Sequence, residues 1–170
     1  MFKELDIAGK KIRVYPAKKP YAPAVYLNAI ESDCSDVRRR CFDEGCPDFT
    51  FVSVSGLRWN DELTPWPHDC ITRSDAPYAG EAQGYLCDLT EKIMPAVEQE
   101  IGGRPLYSAL AGYSLGGLFA LWASFQTDAF SGVVSASGSL WYPGFVEYAH
   151  AHPFYSALSC VYLSLGKKEH

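Results

Sequence analysis

The spacing of apolar residues along this chain switches repeatedly between a strand-like and a helix-like period. Lys11–Tyr15 alternates polar and apolar positions, which predicts a half-exposed strand. Ala24–Ile30 and Phe49–Ser55 are short, nearly continuous runs of apolar, β-branched and aromatic residues, the pattern of buried strands. Between them, 36–44 predicts a short helix with Ser35 as N-cap and Gly45 as its stop. Over 81–101, Leu86, Leu89, Ile93, Val97 and Ile101 recur at helical spacing, with Pro95 predicting a kink or break and Gly102-Gly103 ending the helix. A strand at 106–112, a helix at 115–125, a strand at 130–136, a helix at 143–151 and a final buried strand at 160–165 complete the pattern. Strands separated by helices predict an α/β fold, a mainly parallel twisted sheet with helices on both faces. No repeat or linker divides residues 1–170, which read as a single domain.

The stretch 56–80 interrupts this rhythm. It holds Pro65, Pro67 and Pro77. A loop this long in a compact domain is functional or disordered, and Trp59 and Trp66 argue against disorder. These tryptophans, with Tyr78, either cover the core or stack on a ligand. Trp59, Trp66 and Tyr113 are the candidate substrate contacts.

Composition narrows the function. A formal charge of −5 with no Lys/Arg stripe excludes an ordinary nucleic-acid binder. The run Arg38-Arg39-Arg40 reads as the wet side of a helix. No apolar run approaches the ~18 residues needed to span a bilayer, and the first residues lack the order of a signal peptide, so the expectation is a cytoplasmic protein with no membrane partner. Six cysteines form no metal-binding spacing and read as free thiols, although an even count permits pairing. No metal or organic cofactor is implied, and oligomeric state is not readable.

The chemistry concentrates at Gly112-Tyr113-Ser114-Leu115-Gly116, which fits G-x-S-x-G. A chain that leaves a strand and enters a helix in so tight a turn forces the serine into a strained backbone conformation, and glycine on either side removes the colliding side chains. The hydroxyl then stands above the sheet edge. The N-terminus of the following helix aims its free N–H groups at the same spot, and the Leu115 N–H can hold an oxyanion. The apolar run before the motif and the helix-compatible run after it supply the context; the alternative is an inert serine on a glycine-rich turn.

Four stretches carry a family likeness: Ala111–Leu121 around the serine, Ser135-Ala-Ser-Gly-Ser-Leu-Trp141, Trp59–Trp66, and Leu163–Glu169. In these the chain resembles the putative-esterase family of α/β-hydrolases, closest to its siderophore-esterase-like branch. The resemblance implies an α/β-hydrolase fold and a small-molecule ester as substrate. It implies Ser114 as nucleophile, Glu169 as the acid that orients a catalytic imidazolium, and the N–H of Ile30 as second oxyanion donor. Glu169 reads equally as a solvated residue, and the chain carries Ala29 where the family usually has glycine.

A serine needs a base, and in this class the order is Ser, acid, His. Only His170 follows Glu169. The resemblance places the histidine roughly 30–60 residues on, after one more helix and strand. The expectation is therefore an incomplete domain, inactive without that histidine. His68, in the aromatic loop, is a weaker candidate; His150 and His152 read as a helix end. Three functions remain open: an esterase, a non-catalytic binding module of the same fold, and an acyltransferase.

Overall fold

The computed structural model describes residues 2–71 and 76–166. Strands β1 (Lys3–Ile7), β2 (Lys10–Tyr15), β3 (Ala24–Asn28), β4 (Thr50–Ser55), β5 (Ser108–Tyr113), β6 (Gly132–Ala136) and β7 (Cys160–Ser164) form one seven-stranded sheet. Its order is β1-β2-β4-β3-β5-β6-β7. The pairings from β4 through β7 are parallel, and β1 and β2 add an antiparallel edge. The mainly parallel α/β sheet expected from the pattern is present. β1 is an addition that the pattern missed, because Leu5 and Ile7 alone carry its alternation.

Helices α1 (Ser35–Asp43), α2 (Trp59–Glu62), α3 (Ala82–Asp88), α4 (Met94–Ile101), α5 (Leu115–Ala123) and α6 (Phe145–Ala151) fill the connections. The long helix expected over 81–101 is divided. A π-helical turn, Leu89–Ile93, joins α3 to α4 with helical backbone throughout, and Pro95, which has no N–H to donate to the turn before it, stands in the first turn of α4. Gly102 ends it in the left-handed conformation (φ 80°). The expected cap of α1 is also corrected: Cys34 stands at the N-cap, and Asp33 Oδ1 accepts the Ser35 N–H at 3.0 Å.

One face of the sheet holds the main core. Ile12, Val14, Tyr26, Val52, Val54, Leu110 and Val133 point into it, against α3, α4 and α5. All nine residues of α5 are buried, which is why that helix is apolar all round. Full burial of a side chain such as Phe119 or Leu118 contributes about 1.5–3 kcal/mol. The opposite face is covered differently. Tyr15, Ala29, Cys34 and Phe51 cluster beside α1, and the Arg38 guanidinium stands 5.3 Å from the Tyr15 ring centre. Beyond α1 the face opens into a groove of about 690 Å³ lined by Val25, Leu27, Ala111 and Val134. The final strand was expected to be buried, but Val161, Tyr162 and Leu163 in β7 are exposed, because β7 is the sheet edge among the described residues. No helix among the described residues is long and apolar enough to cross a membrane.

Candidate active site

The carboxyl ends of β3, β4, β5 and β6 lie side by side, the usual place for ligand chemistry in an open parallel sheet. Ser114 sits there, between the last residue of β5 and the first of α5. Its backbone has φ 54° and ψ −123°, a region that L-residues avoid and that persists only when the surroundings impose it. The surroundings are specific. A Cβ at Gly112 would lie 2.2 Å from the Gly116 carbonyl carbon, so only glycine lets the strand and the helix start this close together. The Ser114 carbonyl oxygen accepts N–H groups from Gly117, Leu118 and Ser139, each at 3.0 Å. The Ser114 N–H donates to the Ala136 carbonyl at 3.2 Å. Its side chain is half-buried, with Oγ 3.1 Å from Ser139 Oγ.

Leu115 is the first residue of α5, so its N–H has no intrahelical acceptor. The loop after β3 lies against the same helix end: a Cβ on Gly116 would sit 3.3 Å from Asn28 Cβ and 3.5 Å from the Asn28 carbonyl oxygen. Ala29 spends its N–H on Val54 O at 2.9 Å, while the Ile30 N–H meets no acceptor among the described residues. Ala29 does not have the positive φ that would demand glycine. Asn28 anchors this loop. Its Oδ1 accepts from the Tyr85 hydroxyl at 2.6 Å inside the core. Burial, with smaller pushes from Glu62 and Asp88, holds the Tyr85 phenol well above its ordinary value, so it remains a donor. Asn28 Nδ2 is buried without a partner among the described residues.

The aromatic candidates separate. Trp59 Cη2 would lie 3.3 Å from a Cβ on Gly116, which puts the indole beside the helix start, and Trp59 also lines the rim of the groove. Tyr113 is 57% exposed next to Ser114, and Ile30 is exposed nearby on the same rim. Trp66 is tied elsewhere: its indole N–H donates to Pro143 O at 2.9 Å, and its ring packs against Tyr142 and Tyr148. The loop that carries Trp59 is held from below by a buried ion pair, Lys10 Nζ to Glu62 Oε1 at 2.8 Å. Glu62 Oε2 also accepts the Arg58 N–H at 2.8 Å.

Three histidines fall within the described residues, and His68 and His152 are engaged by other partners. His68 Nδ1 lies 2.8 Å from Asp69 O, its backbone bridges to Tyr78, and its ring meets Tyr142 edge-on. His152 Nδ1 lies 2.8 Å from Tyr148 O and stacks on that ring at the end of α6; His150 stands in the last turn of the same helix. Glu169 and His170 lie outside the described residues. Ser139 and Asn28 are the site neighbours that sequence reasoning did not single out.

The sheet, the corner at Ser114 and the helix end aimed at it define a protein of the α/β-hydrolase fold. The profile of the family described as Putative esterase matches residues 51–161, and the chain belongs to that family. Siderophore hydrolase EstA from Aspergillus nidulans superposes with a TM-score of 0.77 at 26% identity, over 99% of this chain and 69% of its own. An IroE-like serine hydrolase from Shewanella oneidensis shares the fold at a TM-score of 0.72 and 18% identity, over 89% of this chain and 55% of its own. The uncharacterised Bacillus subtilis (strain 168) protein YbbA is 28% identical over 154 residues, 86% of this chain and 62% of that protein. The chain thus spans less than two thirds of the curated relative it matches.

Proposed function

We propose that this chain is the nucleophile-bearing part of an esterase that hydrolyses a carboxylic ester or thioester through an acyl-enzyme on Ser114. The observation that carries the reading is the corner itself. A serine held at φ 54° and left half-exposed at the N-cap of a fully buried helix is costly to maintain, and backbone strain of this kind gathers at functional sites. In this reading Ser114 Oγ attacks the ester carbonyl while a base takes its proton. Charge develops on the carbonyl oxygen and is met by the N–H groups of Leu115 and Ile30; one such donor contributes about 3 kcal/mol to lowering the barrier. The alcohol or thiol leaves, and water releases the acyl group by the same route. Glu169 is the proposed orienter of the base. Trp59 and Tyr113 flank the approach to the hydroxyl and are the proposed substrate contacts, with Trp66 supporting the loop behind them.

Ester-linked siderophores are the first substrate class to test, because EstA, named a siderophore hydrolase, is 26% identical. With p-nitrophenyl butyrate, the full-length protein is expected to release a stoichiometric burst of nitrophenol followed by slower turnover. Ser114→Ala is expected to lose both phases. Burst and turnover surviving in Ser114→Ala would remove this reading.

A further inference from the structure

Ser139 has no part in the steps above, yet it grips Ser114 twice. Its N–H donates to the Ser114 carbonyl oxygen at 3.0 Å, and its Oγ lies 3.1 Å from Ser114 Oγ. The backbone N–H and C=O of Ser114 are already fixed by Ala136, Gly117, Leu118 and Ser139. The one freedom left to Ser114 is rotation of its side chain, and the Ser139 hydroxyl is the group in contact with it.

The direction of that hydrogen bond follows from burial. Ser139 is 2% exposed, and its Oγ has no other hydrogen-bond partner among the described residues. A buried hydroxyl proton with no acceptor carries a desolvation penalty, so the Ser139 proton belongs on Ser114 Oγ. Ser114 then keeps its own proton pointing to the open side of the site, where a base can reach it.

The segment that carries Ser139 is built to hold this position. Ser137 is forced to φ 45°, and its N–H donates to Ser164 O at 2.7 Å across to β7. Gly138 lets the segment press against α5, its Cα 3.0 Å from where a Cβ on Gly117 would be. Strain at Ser137 and Ser114 therefore sits on both sides of one contact. The hydrogen bond also strengthens as negative charge collects on Ser114 Oγ.

We infer that Ser139 is a positioning residue for the reaction at Ser114, its buried hydroxyl donating to Ser114 Oγ and selecting the rotamer that presents the Ser114 proton outward. This inference rests on the reading of Ser114 as nucleophile, and the test separates the two. The pseudo-first-order inactivation of the full-length protein by a fluorophosphonate, followed up to saturating reagent, is resolved into its maximal rate and its half-saturation constant. Ser139→Ala is expected to lower the maximal rate about tenfold, the worth of one well-made hydrogen bond, with the half-saturation constant unchanged and the thermal midpoint lowered by only about 2–4 °C. Ser135→Ala is the control: Ser135 is as buried, on the strand leading into this segment, and its Oγ has no partner among the described residues. It is expected to react at the wild-type rate. Equal or faster labelling of Ser139→Ala overturns the inference and leaves the nucleophile reading standing. So does equal slowing of Ser135→Ala, which would mark a general loosening of the segment. Wild-type protein that never labels overturns the nucleophile reading itself.

Discussion

Gly112 and Gly116 approach so closely that a Cβ on the first would overlap the carbonyl carbon and oxygen of the second, at 2.2 Å from each. The overlap is with backbone, so no side-chain rotation relieves it. Gly112→Ala is expected to push β5 and α5 apart, at a cost of about 1–3 kcal/mol. In a chain of this size each kcal/mol lowers the melting temperature by about 2–4 °C. Differential scanning calorimetry of the variant checks the magnitude, and an unchanged midpoint would mean that the corner is looser than described.

Ser114 shows the opposite balance. Its φ of 54° is strained for serine and ordinary for glycine. Ser114→Gly is expected to stabilise the fold by about 1 kcal/mol, the strain relieved less the added freedom of the unfolded chain. The same substitution removes the hydroxyl. A rise in chemical-denaturation midpoint together with loss of reactivity would show stability given up for function at this position; a fall would mean that the hydroxyl holds the turn together.

Glu62 makes stability depend on pH. Burial pushes its carboxyl upward, but hydrogen bonds from Lys10 and the Arg58 N–H, with the attraction of both cations, more than offset this and hold it below the ordinary value of 4.5. A depressed carboxylate contributes stability that is present above the unfolded value and is lost as pH falls through the folded one. Glu62→Gln leaves Lys10 buried with an uncompensated charge, which is expected to cost about 3 kcal/mol at pH 7. The gap between wild type and variant is expected to narrow as pH falls below 4.5, the unperturbed value. Urea unfolding at neutral and acid pH measures it; a gap constant with pH would mean that the pair does not titrate with folding.

The groove over Val25, Leu27, Ala111 and Val134 presents apolar side chains on an open face. Such a surface is expected to bind anilinonaphthalenesulfonate in the folded 170-residue chain. Val134→Ser is expected to weaken the fluorescence at a cost near 1 kcal/mol in stability. Absence of dye binding would show this face to be covered in solution.

The sequence made the central part of this architecture readable because the signals there were local. Leu110 and Val133 sit in strands whose apolar runs are unbroken, and Gly112-x-Ser114-x-Gly116 marks the corner through the steric needs of adjacent residues. β1 was missed because an antiparallel edge strand needs few apolar positions. The π turn before Pro95 was read only as a kink, since the proline reports a disturbed helix and not how the turn is rearranged. Ser139 was invisible for a different reason. Nothing within its own segment distinguishes it from Ser135 or Ser137; only the parallel pairing of β5 with β6 brings it to Ser114. β7 shows the converse. Its Val-Tyr-Leu core announces a strand, but apolarity tells what a face would gain from cover and not whether cover is there.

The most direct test of the account is the site of covalent attachment. The full-length protein is treated with a fluorophosphonate, digested, and the adduct located by tandem mass spectrometry. The expected result is a single phosphonyl group on Ser114, absent after heat unfolding and absent from Ser114→Ala. An adduct on another residue, or none on a folded and complete protein, would contradict it.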